Sequence, residues 1–167
     1  MQCFSSRMLY LLGLLAVICL LAIVAYLEYF AGYNPCPLCL LQRAAMCFLG
    51  AVFVVGSVAK LKKGGQIIAA LFSMLFAASG LLLAARQVWL QYFPHNTTSD
   101  CGASLDYMMQ AYPYTQVLKK IFAGTSDCSH LDWQFLHISL AGWSCVCFIG
   151  FMVLAGWQLW CSVSKAK

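Results

Sequence analysis

Four stretches of the chain are apolar for long enough to cross a bilayer, and the polar residues gather between them. The first runs from Met8 to Leu27 without a charge, and the second, residues 40 to 59, is apolar except for Gln42 and Arg43 near its start. A basic turn, Lys60-Leu61-Lys62-Lys63-Gly64-Gly65, leads into a third stretch, residues 66 to 85, closed by Arg86 and Trp89. The fourth covers residues 138 to 160 and holds Trp143, Trp157 and Trp160, suited to anchor at the interface. A span takes about 20 residues, so the pattern predicts an all-α, four-transmembrane-helix bundle forming a single membrane domain over residues 1 to 167. The first stretch exceeds the apolar core of a signal peptide and has no A-x-A cleavage site after it, which makes it a retained span. Loops are expected at 28 to 39 and 86 to 137. Inside the longer one, Thr115 is placed to cap a short helix whose Val117, Leu118, Ile121 and Phe122 share a side, with Gly124 ending it. That pattern suits an interfacial helix, its Lys119 and Lys120 reaching water or headgroups.

Composition removes the soluble alternatives. Hydrophobic residues make up 63% of the chain, against only 10 Lys and Arg and 5 Asp and Glu, far from the balance of a soluble domain. The net charge of +5 does not point to nucleic acid, because the positives flank apolar runs and form no basic face with interleaved aromatics. Their distribution gives an orientation. Arg7, Lys60, Lys62, Lys63, Lys165 and Lys167 lie on one side with no acid among them, while Glu28, Asp100, Asp106, Asp127 and Asp132 lie on the other against two lysines, Lys119 and Lys120. The positive-inside rule then puts both termini and the basic turn in the cytoplasm, and both loops outside.

That topology divides the 10 cysteines. Cys36, Cys39, Cys101 and Cys128 fall in the outer loops, where disulfides persist. Cys3, Cys19, Cys47, Cys145, Cys147 and Cys161 fall at lipid depth or at cytoplasmic ends and need no redox role, since buried cysteine packs as a small hydrophobe. Cys47, one turn beyond Arg43, is the one of these placed to line a slot beside it. The sharpest feature is Asn34-Pro35-Cys36-Pro37-Leu38-Cys39, directly before the second span. A cysteine pair opening a helix sits among unbonded backbone N–H groups that favour a thiolate, with Arg43 four residues on. Taken alone the motif also fits a structural staple. Cys101 and Cys128, 27 positions apart, lack the spacing of a zinc site, so no metal is expected. Bonded to each other they would either staple the long loop or exchange with the other pair by thiol attack on disulfide.

Arg43 at membrane depth either snorkels to the interface or meets an acceptor within the bilayer. A lipid quinone is such an acceptor: it takes two electrons and two protons, and it needs an apolar slot with a donor near its carbonyl.

Taken together, Cys-Pro-Leu-Cys with Arg43 beyond it, the stretch Ala85-Arg86-Gln87-Val88-Trp89-Leu90-Gln91, Cys101-Gly102 with Leu105-Asp106-Tyr107-Met108, and Asp127-Cys128 before Trp133-Gln134-Phe135-Leu136 resemble the disulfide-bond formation protein B family, DsbB. The resemblance covers essentially the whole chain. It implies a bacterial inner-membrane enzyme that reoxidises a periplasmic DsbA-like thiol oxidase and passes electrons to ubiquinone or menaquinone. It further implies that Cys36–Cys39 is the quinone-proximal disulfide, with Cys39 as the thiolate beside the ring. In the same scheme Cys101–Cys128 is the disulfide attacked by the partner at Cys101, with Cys128 also able to bridge transiently to Cys36. Arg43 and Gln87 fall at positions linked to the quinone. Gln87 stands where many members carry His; it still donates a hydrogen bond but does not titrate near neutral pH. His137 and Ala141 replace a Gly and a Pro common at the entry to the fourth span. His95 and His130 read as surface residues of the outer loop.

Two rivals remain at this level. A quinone reductase resembling the vitamin K epoxide reductase group also uses a helix-end Cys-x-x-Cys, but late in the bundle and not before the second span. A non-enzymatic four-span scaffold with two structural disulfides would instead resist reduction by partner thiols.

Overall fold

A computed structural model describes residues 6–32, 36–59, 61–92, 113, 115–116, 134–135 and 138–164. Four long helices dominate: α1 (Ser6–Ala31), α2 (Pro37–Val58), α3 (Lys63–Tyr92) and α4 (Leu140–Ser164). All four are long and apolar enough to cross a membrane. At 30 residues, α3 is about 45 Å long, more than the roughly 30 Å of hydrocarbon. Its helical structure continues past Ala85, so Gln87 lies on a helix and not in the following loop. Of the expected interfacial helix, only Thr115 and Gln116 are described; the rest lies outside the described residues.

The helix ends follow local chemistry. Gly32 closes α1 with φ 68°, a left-handed conformation that glycine adopts without strain. Ser139 opens α4 by accepting the Gly142 backbone N–H on its Oγ at 3.2 Å, the role of an N-cap. That cap is why α4 begins at Leu140 and not at residue 138. The two residues before it pair instead with β1 (Gln134–Phe135) as β2 (Ile138–Ser139), an antiparallel ladder with Gln134 opposite Ser139 and Phe135 opposite Ile138.

Helices in lipid associate through close packing more than through release of water, so small residues at the contacts matter. On α3 the buried positions Ala70, Ser73, Ala77, Gly80, Ala84 and Gln87 recur every three or four residues and form one stripe. On α2, Leu38, Gln42, Ala45, Met46, Leu49, Phe53 and Gly56 are buried, and Gln42 bonds to Gln87 of the α3 stripe. Glycines receive aromatic rings from neighbouring helices: a Cβ on Gly56 would stand 2.6 Å from the Tyr10 ring, and one on Gly13 would stand 2.7 Å from Phe53. Rings of Tyr10, Phe53, Phe151 and Phe148 follow one another at centroid distances of 6.2, 6.1 and 6.5 Å, linking α1, α2 and α4. Packing is closest between α3 and α4, while α1 touches α4 only lightly. An apolar cleft opens along that loose seam.

Candidate active site

The Cys-Pro-Leu-Cys segment builds the start of α2. Cys36 is the N-cap, with extended backbone (φ −70°, ψ 162°) and Pro37 in the first helical turn, where the missing proline N–H is no loss. The Cys36 carbonyl accepts the Leu40 N–H at 3.1 Å, and its side chain makes no cap bond to the backbone. The Cys36 sulfur contacts Cys39 Sγ at 3.2 Å instead, a hydrogen-bond distance well beyond the 2.05 Å of a disulfide. Cys36 is buried and Cys39 half-buried. Cys39 thus lies within the first turn of α2, on the positive end of the helix dipole.

Around that sulfur the structure gathers side chains from four helices. Gln87 of α3 places Nε2 at 3.2 Å from Cys39 Sγ and Oε1 at 3.5 Å. Gln42, one turn beyond Leu38 on the buried stripe of α2, donates from Nε2 to Gln87 Oε1 at 2.7 Å. Arg43 Nη1 donates to Glu28 Oε2 near the end of α1, and its Nε is buried with no hydrogen-bond partner among the described residues. Cys39, Gln42, Arg43, Met46, Gln87 and Ser144 are among the residues lining a cavity of about 30 Å³. It shares Val24, Met46, Leu140 and Ser144 with an apolar cleft of about 240 Å³ between α1 and α4, which adds Ile23 and Trp143 among others.

Four of the residues singled out from sequence, Cys36, Cys39, Arg43 and Gln87, therefore meet in one place. Cys101 and Cys128 lie outside the described residues, as do His95 and His130. Gln87 lines the cavity and bonds to both the Cys39 sulfur and Gln42. Cys47 is exposed on the outside of α2, and its neighbour Met46 lines both cavities in its stead, because Met46 falls in register with Gln42 and Leu49. Cys161 is disulfide-bonded, so one of the six cysteines read as plain hydrophobes is more than that. Sequence reasoning passed over Glu28 and Gln42. The three-and-four spacing from Leu38 through Gln42 to Met46 and Leu49 was the available signal for Gln42, whereas nothing local paired Glu28 with Arg43 across the turn.

A paired-sulfur site at a helix start, with amide and guanidinium donors beside it and an apolar cleft opening between membrane helices, defines a membrane thiol:disulfide oxidoreductase whose second substrate comes from the lipid. Comparison with known proteins makes the class specific. The family model described as "Disulfide bond formation protein DsbB" matches residues 6–158. The chain is 37% identical over 147 residues to "Disulfide bond formation protein B" of Hahella chejuensis, covering 88% of this chain and 89% of that one. It is 36% identical to the protein of the same name from Stutzerimonas stutzeri, over 95% of this chain and 98% of that one. Identity to "Disulfide bond formation protein B 1" of Pseudomonas aeruginosa is also 36%, over 89% and 91%. The chain belongs to the DsbB family. It is a multi-pass inner-membrane enzyme of disulfide bond formation, a quinone-dependent protein thiol:disulfide oxidoreductase.

Proposed function

We propose that the chain reoxidises a periplasmic DsbA-like thiol oxidase through two disulfides in series, and that the residues named above divide the work. The partner's dithiol attacks the Cys101–Cys128 disulfide at Cys101, forming a mixed disulfide that a second partner thiol resolves, so the partner leaves oxidised and Cys101/Cys128 becomes a dithiol. That dithiol reduces Cys36–Cys39 by the same exchange. The Cys36/Cys39 dithiol then gives up two electrons and two protons and closes again to the disulfide. Ubiquinone or menaquinone is the substrate that accepts them, leaving as the quinol. Both termini face the cytoplasm in this reading, so Cys36 and Cys39 lie at the periplasmic surface.

The observation that carries the reading is the placement of Cys39 in the first turn of α2, in contact with Gln87 and on the wall of a cavity that shares Val24, Met46, Leu140 and Ser144 with the apolar cleft between α1 and α4. The cleft supplies an apolar wall for a quinone. Arg43 fits it as well, since a buried N–H lacking a partner is relieved by a carbonyl oxygen. Glu28 holds the guanidinium while Nε is kept for that acceptor.

Anaerobic mixing of the purified protein with reduced DsbA-type partner and a short-chain quinone tests the scheme, following quinone absorbance and partner thiols together. One quinone is expected to be reduced for each partner dithiol oxidised. Cys101→Ala should abolish partner oxidation, and Cys128→Ala should trap the partner on Cys101. A partner trapped mainly on Cys36 overturns the order, and two disulfides inert to the reduced partner indicate a scaffold.

A further inference from the structure

We infer that Gln42 is a positioning residue: by donating to Gln87 it fixes the Gln87 amide so that Nε2–H faces Cys39 and stabilises its thiolate. An amide side chain presents a donor at one end and an acceptor at the other, and a half-turn about its last bond exchanges them. At Gln87 that choice matters, because both amide atoms lie near one sulfur, Nε2 at 3.2 Å and Oε1 at 3.5 Å. A thiolate is repelled by the oxygen and held by the N–H. Gln42 couples to that choice: its Nε2 lies 2.7 Å from Gln87 Oε1, and with Gln42 in this orientation the exchanged Gln87 would set two donors against each other. Both amides are deeply buried, 5% and 3% exposed, so water offers little competition and a mis-set amide leaves buried groups unsatisfied.

The arrangement also suits a sulfur that changes state. As a thiol, Cys39 donates weakly to Oε1; as a thiolate, it accepts from Nε2, with no side chain having to move. Among the described residues, Cys36 Sγ also stands 3.2 Å from this sulfur, and Arg43, itself paired with Glu28, lines the same cavity. Arg43 acts on the thiolate through charge and Gln87 through a directed hydrogen bond. Gln42 lines the cavity, but its hydrogen bond goes to Gln87, and its effect on Cys39 is transmitted through that amide.

The inference rests on Cys39 being the thiolate that hands electrons on, so the test separates the two. In full-length protein carrying Cys36→Ser and kept free of quinone, the rate of Cys39 alkylation by iodoacetamide is followed against pH by peptide mass spectrometry. Gln42→Leu is expected to raise the midpoint by about one pH unit, a roughly ten-fold slower reaction below it. Gln87→Leu should raise it at least as far, and the double variant no further than Gln87→Leu alone. If Gln42→Leu does not fold, Gln42→Met removes the same donor with a more adaptable chain and should give the same rise. An unchanged midpoint for the folded Gln42 variant overturns the inference, as do shifts that simply add in the double variant. Quinone-coupled turnover of the parent tests the underlying reading separately: a parent that reduces no quinone defeats that reading whatever the alkylation profile gives.

Discussion

At the cysteine end of the bundle, Gln42 and Gln87 are buried against each other and bonded, whereas toward the end that carries the termini Gln158 of α4 is 2% exposed and neither its Nε2 nor its Oε1 has a partner among the described residues. The residue type and the depth of burial are the same. What differs is satisfaction and aim: one amide, held by a second, is directed at the Cys39 sulfur, and the other is a polar group left in an apolar wall. Toward the termini the helices interlock through Tyr10 on Gly56 and Phe53 on Gly13. At the cysteine end α1 and α4 stand apart and leave a cleft of about 240 Å³. An apolar cleft of about 350 Å³ also opens between α2 and α3 toward the termini, so the cysteine end is set apart by the sulfur and polar groups beside its opening and not by the opening itself.

The comparison is broken most severely at Arg43. If its buried Nε is the donor to a quinone oxygen, Arg43→Met removes a charged hydrogen bond worth about 1.5–3 kcal/mol, a rise of roughly ten- to hundred-fold in quinone KM. Exchange between the partner and Cys101/Cys128 should continue nearly undisturbed. Lysine should rescue only in part, because it lacks the planar fork that can hold Glu28 and leave Nε directed elsewhere. Glu28→Gln, which keeps an acceptor and loses the charge, should raise the same KM by about two- to ten-fold. Steady-state kinetics with varied quinone, beside stopped-flow partner oxidation without quinone, separates the stages. An unchanged quinone KM in Arg43→Met would make the guanidinium a structural clasp between α1 and α2 only.

At the packed contacts the expected effect is on stability. A Cβ at Gly80 would run into the Phe148 ring, while Gly156, on the same helix as Phe148, has open space around it. Gly80→Ala should therefore destabilise by about 1–3 kcal/mol, the range for overpacking a filled core. Gly156→Ala should be neutral or slightly stabilising, since alanine favours the helix. Thermal unfolding in detergent compares the two, and equal effects would show that the glycine–aromatic contact carries no weight.

The opposite sign is expected at Gln158. Replacing it with leucine removes an unsatisfied buried amide without opening a void, and a stabilisation of about 1–3 kcal/mol follows from the desolvation that amide carries. Quinone-coupled turnover should not change. Gln87→Leu, the same substitution at the cysteine end, should instead slow the reaction of Cys39. A destabilised Gln158→Leu variant would mean that the amide has a bonded water, and the contrast between the two ends would then narrow to aim alone.

Much of this was legible from the chain. Four apolar runs bounded by charge fix the bundle, because length in lipid is a strong constraint, and Cys36, Cys39 and Arg43 follow from one short motif whose spacing is helical. The limits are equally physical. Hydropathy loses the end of α3, since Arg86, Gln87 and Gln91 dilute the signal although the backbone stays helical. The start of α4 is set by one hydroxyl at Ser139, which an apolar count does not register. Gln42 is masked by its neighbour: next to an arginine it reads as a mere polar edge of the span, and only the register of the whole stripe reveals that it faces inward. Glu28 lies 15 residues from Arg43, and no periodicity within a helix connects residues on opposite sides of a turn.

The smallest effect is expected where sequence adjacency and spatial position disagree most. Cys47 follows Arg43 by four residues, which suggests a shared wall, yet it faces outward, as does Cys19. Met46 is 5% exposed and lines both the small cavity and the cleft. Adjacent positions on a helix differ by about 100°, enough to exchange a quinone-facing direction for a lipid-facing one. Cys19→Ala and Cys47→Ala, singly or together, trim a small group that meets lipid on one side, and turnover should stay within about two-fold of the parent. Cys147 and Cys161 stand outside this expectation, the first because it lines the cleft and the second because it is disulfide-bonded. Met46→Ala enlarges the cavity beside Cys39 and should raise quinone KM by more than either cysteine substitution, because it removes wall and not merely surface. Kinetics on the three variants in the same detergent decide it. Loss of most activity in a folded Cys47→Ala protein, with Met46→Ala unaffected, would turn α2 by one residue and place the substrate on its other face.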